Sequence, residues 1–322
     1  MTVWQKYRSN HTIASKISGS TEPKINAFNL ISLQNFTTCP ILHVSRRPPY
    51  SAPENIGKLR QAILQLAVMG KLVPQDSSDE PAAVLLDKIR LERELLAKER
   101  KISSSKLLPC LQLEEIPFNA PKGWSWERFG HIADIVSGVT KGRNLIGKQT
   151  AYYPYLRVAN VQRGFLDLEI IKTIEILVEE LDKYRLQAND ILLTEGGDWD
   201  KLGRSAIWNG QIENCIHQNH IFRARPFHFG FIPQWAVLYT NSPIGRQYFE
   251  TASKKTTNLA SINMTQLRHC PFPVPPTEEQ HRIVAKVAQL IDICNKLEAK
   301  LTQSQNDSEK LMNAAARQLL VI

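Results

Sequence analysis

The chain has 322 residues, of which 43% are hydrophobic and 22% charged, a composition that excludes collagen, fibrous arrays and disorder throughout. No uncharged apolar run reaches the roughly 18 residues of a bilayer-spanning helix, so no membrane contact is expected. The N-terminus lacks the apolar stretch and small-residue cleavage site of a secretory signal, which predicts a cytoplasmic protein. The five cysteines are scattered, which favours reduced thiols over disulfides or a zinc site.

The net charge of +9 is unevenly distributed along the chain. Residues 1–50 contain six basic residues and one acidic residue, whereas residues 107–277 contain eighteen and sixteen. More than half of the positive excess therefore lies in the N-terminal segment. The high pI alone is weak support for nucleic-acid binding.

The N-terminal third is predicted to be an extension followed by two helices. Residues 1–55 are predicted to be disordered, because most of this segment is rich in Ser, Asn and Thr and shows no sustained period. A helical region is predicted over 56–106. Its first helix has apolar residues at helical spacing and ends at Gly70, and its second follows Pro81, with Asp79 in an acidic cap.

Residues 107–276 have the texture of a mixed α+β domain. Short β-branched and aromatic segments alternate with Gly, Pro and Asn, which predicts strands at 132–136, 155–161, 191–194, 205–208 and 216–223. Asn209 and Gly210 are typical of a two-residue hairpin turn between two of these strands. Helices are predicted at 232–240 and 242–252.

Residues 277–322 are predicted to form C-terminal spacer helices. Thr277 and Gln280 have the spacing of a capping box, and a break at 305–307 is expected before a shorter helix. Six apolar residues recur at alternating spacings of four and three, the heptad pattern of a coiled coil. They are predicted to form a subunit interface: Ile283, Val287, Leu290, Cys294, Leu297 and Leu301. The alternative is that this stripe faces the core of the chain itself.

The fold class expected from these patterns is α+β, with a mixed domain between long helices that form an antiparallel, coiled-coil-like spacer. None of the chemical motifs considered in this chain survives inspection. Residues 142–149 match a P-loop except at Gln149, where Ser or Thr would bind magnesium. Residues 47–50 resemble the motif of amino-methyltransferases but begin with arginine. His217 and His220 are three residues apart, which places them on opposite faces of a strand and argues against a metal site.

Two acid-poor stretches of residues 107–276 favour DNA binding. Residues 135–166 contain no acidic residue, and residues 201–276 contain eight basic and two acidic residues. Amides, hydroxyls and aromatic rings lie among these cations and suit phosphates and base edges. The predicted DNA-binding residues are Lys141, Arg143, Lys148, Asn160, Arg163, Trp199, Lys201, Arg204, Gln218, Asn219, Lys254, Lys255, Thr256 and Asn258.

Three of these residues are predicted to read bases: Arg204, Gln218 and Asn219. Asn219 could equally hold a loop in place. For either acid-poor stretch taken alone, an ordinary solvated surface is the competing interpretation.

The segments that flank this domain resemble the specificity (S) subunits of type I restriction-modification systems. Residues 59–75, LRQAILQLAVMGKLVPQ, are similar to the opening of these subunits. Residues 275–284, PPTEEQHRIV, are similar to the segment that closes their target-recognition domain and starts the spacer helix. Residues 194–204, 218–223 and 257–263 resemble recurrent stretches of one group of these domains.

The resemblance implies a DNA-reading subunit that binds no cofactor and catalyses no reaction. Its helices would hold methyltransferase (M) subunits, which carry S-adenosylmethionine, and the complex would recruit restriction (R) subunits, which use ATP and Mg. Family members commonly have two recognition domains and two spacers, whereas this chain has one of each. That difference predicts a half-subunit that pairs with a copy of itself or another S chain, or a truncated gene product.

Two other interpretations remain open at this point. One is a fragment of a DNA methyltransferase, or of a fused restriction enzyme, without its catalytic domain. The other is a truncated helical adaptor that does not bind DNA.

Overall fold

A computed structural model of the chain describes residues 53–102, 108–197, 201–255 and 260–319. Two helices come first, α1 (Pro53–Val68) and α2 (Ala82–Lys98). Gly70 follows α1 with a φ of +66°, so the predicted glycine ending is confirmed. The helix starts earlier than expected, which makes residues 53–55 helical rather than disordered. No helix in the described ranges is both long and apolar enough to cross a bilayer.

The central domain, the described part of 108–276, is built on small sheets. Its strands are β1 (Ser125–Arg128), β2 (Ala133–Ser137), β3 (Thr150–Leu156), β4 (Lys172–Leu177), β5 (Asp190–Thr194), β6 (Gly196–Gly197), β7 (Ser205–Trp208), β8 (Ile216–His217), β9 (Ile221–Pro226), β10 (Lys254–Lys255), β11 (Ala260–Ser261) and β12 (Pro271–Val274). The largest sheet is antiparallel with the order β2-β9-β5-β7. Two three-stranded sheets have the orders β4-β3-β8 and β10-β11-β6, and β1 pairs with β12.

Short helices connect and cover these sheets, and one long helix ends the described chain. They are α3 (Phe129–Ile132), α4 (Leu181–Tyr184), α5 (Pro233–Asn241), α6 (Pro243–Ala252), α7 (Met264–His269) and α8 (Thr277–Leu319). The core centres on α5, where the buried Trp235 meets Trp124 edge-on with ring centroids 5.4 Å apart. The Tyr239 hydroxyl donates to the Pro271 carbonyl at 2.7 Å, which ties α5 to β12.

The strand predictions hold where one strand stays in one sheet. β5 and β7 match the predicted segments 191–194 and 205–208. The segment 216–223 is instead split into β8 and β9, because the chain changes sheets there. The segment 155–161 leaves the strand after Leu156 and forms a 3₁₀ turn.

The predicted hairpin at Asn209 and Gly210 is wrong. β7 pairs with β5, whereas β8 pairs with β3 in the neighbouring sheet. Gly210 does have the positive φ of a turn, +80°. The local turn signal was therefore correct, but long-range pairing decides the partner of β7.

A buried carboxylate joins both helical ends of the chain to the central domain. Glu279, in the first turn of α8, is 1% exposed. One of its oxygens accepts from Trp124 Nε1 at 2.8 Å, and the other accepts from Gln75 Nε2 at 2.6 Å. Burial is the largest influence on the Glu279 carboxyl and raises its pKa. We call this set of three residues the Glu279 clamp.

The N-terminal ends of α8 and α2 are held differently from prediction. The Thr277 hydroxyl donates to the Gly230 carbonyl at 3.0 Å, so it does not form the predicted capping box with Gln280. The Gln280 side chain instead accepts from Ile232 N at 2.9 Å. Asp79 does not cap α2, because its carboxylate pairs with Arg282 at 2.6 Å.

Helices α1 and α8 pack side by side and run antiparallel. Arg60, in α1, pairs with Glu298 at 2.5 Å, whereas Gln75, after α1, reaches back to Glu279 near the start of α8. The earlier residue, Arg60, therefore contacts the later residue of α8, and the later residue, Gln75, contacts the earlier one, as in an antiparallel pair. This arrangement confirms the predicted antiparallel pairing of the flanking helices.

The first half of the α8 stripe is buried inside the chain, so its predicted exposure to another subunit is wrong. Ile283, Val287 and Cys294 are at most 4% exposed. Leu290 is half-buried against the same core. The cover comes from α1 and α5, which pack on α8. Of the predicted interface, Leu297 is exposed and Leu301 is half-buried.

The second half of α8 extends beyond this cover. The helix is continuous to Leu319, so the break expected at 305–307 is wrong. Between 302 and 317 every residue except Gln305 is exposed, including Leu311 and Met312.

The Glu279 clamp predicts a stability difference between two adjacent glutamates. Glu279→Gln keeps one accepting oxygen but replaces the other with an amide donor that faces the donor of Trp124 or Gln75, so we expect a loss of about 1–3 kcal/mol of unfolding free energy. Glu278→Gln, on the exposed side of the same helical turn, should change it by less than about 0.5 kcal/mol. Urea denaturation of the full chain measures both values. Equal values for the two variants would contradict the structural role of the clamp.

Candidate nucleic-acid interface

Most of the described residues predicted to bind DNA converge at one end of the four-stranded sheet. The strands are antiparallel, and the register places Leu193 opposite Ser205, Thr194 opposite Ile221, and Ser137 opposite Phe222. The ends of β2 and β5 therefore meet the starts of β7 and β9. We call the loops here the reading end, comprising 137–141, 161–166, 195–197, 201–204 and 218–220.

The small sheet β10-β11-β6 extends the reading end. Gly196 pairs with Ser261, and Ser261 pairs with Lys254 on its other side. A Cβ at Gly196 would lie 2.1 Å from the Ala260 carbonyl oxygen, so only glycine allows this approach. The pairing places the exposed Lys254 beside the reading end, and Lys255 continues the same strand.

Gln218 and Asn219 lie at the turn between β8 and β9, and their backbone holds this turn in place. Asn219 N donates to the Val139 carbonyl at 2.9 Å, and the Asn219 carbonyl accepts from the Ser137 hydroxyl at 2.8 Å. Their side-chain amides are half-buried and make no hydrogen bond within the described parts of the chain. The backbone therefore fixes the loop, and both amides have their donors and acceptors available.

The two nearby histidines have different environments. His217 is buried, with Nδ1 2.9 Å from the Ile221 carbonyl, and burial lowers its pKa to about 4. Since a carbonyl only accepts, Nδ1 carries the proton of the neutral ring. His220 is exposed, and its Nδ1 lies 2.5 Å from a Glu195 carboxylate oxygen. Within the described ranges no three His, Cys, Asp or Glu side chains are grouped as metal ligands.

A tight turn at 161–166 brings further cations to the reading end. Gly164 N donates to the Ser205 carbonyl at 2.9 Å, which anchors the turn to β7. Arg204 Nη1 donates to Gln162 Oε1 at 2.8 Å, and Arg163 Nη2 donates to the Leu202 carbonyl at 3.4 Å. Lys201 precedes this group, in the same loop as Arg204.

Phe165, beside these arginines, is 61% exposed. Sequence reasoning missed Phe165, because a phenylalanine before alternating apolar residues resembles a core position. The preceding Gly164, with a φ of +85°, was the available signal of an exposed turn.

Asn160 is not available to DNA, so its prediction as a contact residue is wrong. It is 3% exposed, and its side-chain nitrogen donates to the carbonyls of Asp167 and Ile170 at 2.8 and 3.1 Å. Its side-chain oxygen accepts from Arg157 N at 2.9 Å. All of these bonds stabilise the turn that follows β3.

Arg143 and Lys148 lie away from the reading end. Arg143 pairs with Glu180 at 2.8 Å, and Lys148 comes two residues before β3. The start of β3 pairs with Leu177, whereas its other end leads to Gln218. The structure therefore separates these two cations from the other predicted contacts. Trp199, Thr256 and Asn258 lie outside the described residues.

The P-loop interpretation also fails structurally, as expected. A P-loop must open a helix, but the residues after 142–149 form the strand β3, which begins at Thr150. Cys110, Cys215, Cys270 and Cys294 are free thiols, and burial raises the pKa of the Cys215 thiol to about 12. Burial likewise raises the pKa of Cys270 well above its usual value. Such thiols are poor nucleophiles.

Comparison with known proteins identifies the family. Residues 121–304 match the family model described as the type I restriction modification DNA specificity domain. The chain is 32% identical over 267 residues to the specificity subunit of the type I restriction enzyme EcoAI from Escherichia coli, covering 79% of this chain and 44% of that protein. It is 29% identical to the EcoEI specificity subunit from Escherichia coli, covering 82% and 45%.

Solved structures give more distant similarities. One is a chain from a study of the assembly and conformational transition of the type I R-M system, with 19% identity, a TM-score of 0.46, and coverage of 83% of this chain and 58% of that one. Another is the HsdS subunit from Thermoanaerobacter tengcongensis, with 19% identity, a TM-score of 0.37, and coverage of 69% and 53%.

The chain spans less than half the length of the two curated relatives named above. The family match itself covers more than half of the chain, from just before β1 into α8. It includes the whole reading end and the start of the long helix. This chain therefore belongs to the family of type I restriction-modification DNA specificity subunits.

Proposed function

We propose that this chain is the DNA-recognition subunit of a type I restriction-modification complex and that it reads a short half-site through the reading end. The observation that carries the proposal is the pair of amides of Gln218 and Asn219, which lack internal partners in the described parts of the chain. Amide side chains of this type form paired hydrogen bonds with adenine in the major groove. The neighbouring cations, Lys141, Lys201 and Lys254, would contact phosphates and set the register on the duplex.

The catalytic steps are assigned to other subunits of the complex. The match to specificity subunits supports a chain that supplies recognition and no chemistry. In this proposal M subunits bring S-adenosylmethionine, and R subunits bring ATP and Mg. The paired helices α1 and α8 are the proposed docking surface for M.

A second copy of this chain is the proposed partner for the far half of α8. Leu297 and Leu311 are both exposed and are two heptads apart, so they lie on one face of the helix. Two copies related by a two-fold axis would cover this face mutually. They would also place two reading ends in opposite orientation, which predicts a palindromic site of two half-sites with a constant spacer.

The first prediction of the proposed function concerns base reading. Gln218→Ala and Asn219→Ala should each weaken binding to the cognate motif by about 1–3 kcal/mol, because each removes a base contact. Binding to unrelated duplexes should change little. Fluorescence anisotropy with the M subunit present measures both, and Asn209→Ala, at an exposed turn elsewhere, is the control. Equal weakening on cognate and unrelated DNA would remove these amides from base recognition.

The second prediction concerns phosphate contacts. Changing Lys254 and Lys255 to Ala should weaken binding to every sequence. Log affinity falls as log salt rises, and this fall should become shallower by about 0.9 for each phosphate that is no longer neutralised. Lys148→Ala should leave the slope unchanged, because Lys148 lies away from the reading end. Salt titrations of DNA binding give these slopes. If only Lys148→Ala makes the salt dependence shallower, the DNA footprint lies elsewhere. If the unaltered chain binds no DNA, the helical adaptor is favoured.

The third prediction concerns assembly. Leu311→Asp should convert a dimer to a monomer, because pairing would bury an unpaired carboxylate. Leu290→Asp is not a clean test, since Leu290 packs against the core of its own chain. Asn313→Asp is the matched control, because residue 313 lies about 200° around the helix from residue 311. Light scattering that shows a monomer for the unaltered chain within an active complex would exclude self-pairing.

A further inference from the structure

A cleft of about 590 Å³ lies at the end of the four-stranded sheet opposite the reading end. It opens where β2 begins and β9 ends, between the C-terminal end of α2 and the helix α4. The register places Asp134 opposite Arg225 and Val136 opposite Arg223, so all four side chains share one face of the sheet. Those four residues line the cleft, with Leu96 and Phe227 contributing apolar wall.

The charges that line this cleft do not balance. The cations are Arg93, Lys101, Lys183, Arg223, Arg225 and Arg268, against the acids Asp134 and Asp182. Both acids already have partners, because Asp134 pairs with Arg223 at 2.5 Å and Asp182 pairs with Arg185 at 2.7 Å. Arg225 pairs with Asp190 at 2.7 Å, and Lys101 pairs with Glu99 at 2.7 Å. The positive charge of the cleft that has no carboxylate beside it therefore comes from the remaining three cations.

Three of the cations have no acidic partner within ion-pair distance in the described parts of the chain. Arg268 uses one guanidinium nitrogen to donate to the Ile135 carbonyl at 2.7 Å. Lys183 lies over the Tyr184 ring, 4.9 Å from its centroid. Arg93 is half-buried, and this burial lowers its pKa. These three side chains come from α7, α4 and α2 and meet at one cavity.

The cleft also contains a buried donor without a partner. The Arg223 side chain is 6% exposed, and its Nε makes no hydrogen bond with the described residues. Burial, followed by the nearby Arg225, lowers the pKa of Arg223. A buried donor left unpaired costs free energy, which marks Arg223 as a strained point of the cleft wall.

We propose that this cleft binds a small phosphate-bearing molecule with at least two negative charges, either free pyrophosphate or the phosphates of a nucleotide. Guanidinium groups pair with phosphate oxygens through two parallel hydrogen bonds, which suits Arg93 and Arg268, the two arginines of the cleft without an acidic partner in the described parts of the chain. The volume is in the range of small-molecule sites, and the apolar wall would accommodate a base. The ligand would bridge α2 and the central domain.

The test is isothermal titration calorimetry of the full chain with pyrophosphate and with ATP, without metal and at matched ionic strength, which gives the affinity for each anion. The double variant R93Q/K183Q should bind the anion about tenfold more weakly or worse, because two cations that would face the phosphates become neutral. It removes no hydrogen bond within the described structure, and an unchanged melting temperature without ligand verifies its fold. Arg90→Gln is the matched control, since Arg90 is an exposed arginine on the same helix.

The affinities for pyrophosphate and for ATP distinguish which part of the ligand is recognised. Equal affinity for pyrophosphate and ATP identifies the phosphates as the recognised group, and tighter binding of ATP adds the base. Lys254→Gln should leave anion binding unchanged, which separates this cleft from the reading end. The proposal is overturned if neither anion binds, or if R93Q/K183Q binds as tightly as the unaltered chain. A loss of DNA affinity in R93Q/K183Q without any anion binding would assign the cleft to the DNA footprint instead.

Discussion

The Glu279 carboxylate is the interaction on which the arrangement of this chain depends. It is buried at the start of α8 and accepts hydrogen bonds from the central domain, through Trp124, and from the segment after α1, through Gln75. Burying a carboxylate is costly unless it is well hydrogen-bonded. The clamp therefore holds only when distant parts of the chain meet in one geometry. Asp79 with Arg282, and Arg60 with Glu298, extend the same antiparallel contact.

This constraint keeps the packed helices apart from the loops of the reading end. The clamp and the buried half of α8 fix the helices to the central domain. The reading end lies at the edge of the four-stranded sheet where β2 and β5 end, and its loops are held by backbone hydrogen bonds. In the described parts of the chain, the side-chain amides of Gln218 and Asn219 make no hydrogen bond that holds these loops.

Local signals in the sequence were sufficient where a single element decides the structure. The glycine that ends α1, the strands β5 and β7, and the two helices α5 and α6 all follow from spacing and turn chemistry. The flanking segments also identified the family correctly. The predictions failed where a distant partner decides. Thr277 donates to Gly230 rather than capping its own helix, and the first half of the α8 stripe is covered by α1 rather than by another subunit.

The candidate site shows the same division. Composition pointed to Gln218, Asn219 and Lys254 as candidates, because acid-poor stretches with amides are visible in the sequence. Composition could not distinguish these three residues from Asn160, whose side-chain nitrogen donates to backbone carbonyls. It also could not separate them from Arg143, which pairs with Glu180 at the far end of β3. Such distinctions depend on which hydrogen bonds are already made, and only the folded structure shows that.

The most direct test of the central claim is methylation-aware sequencing of the host genome, with and without this gene. The account predicts a methylated motif of two short half-sites, separated by a constant spacer, that disappears when the gene is deleted and returns when it is restored. An identical methylation pattern in both strains would contradict the assignment of DNA recognition to this chain. A motif that depends on the gene but lacks two-fold symmetry would contradict self-pairing and require a second, different S chain.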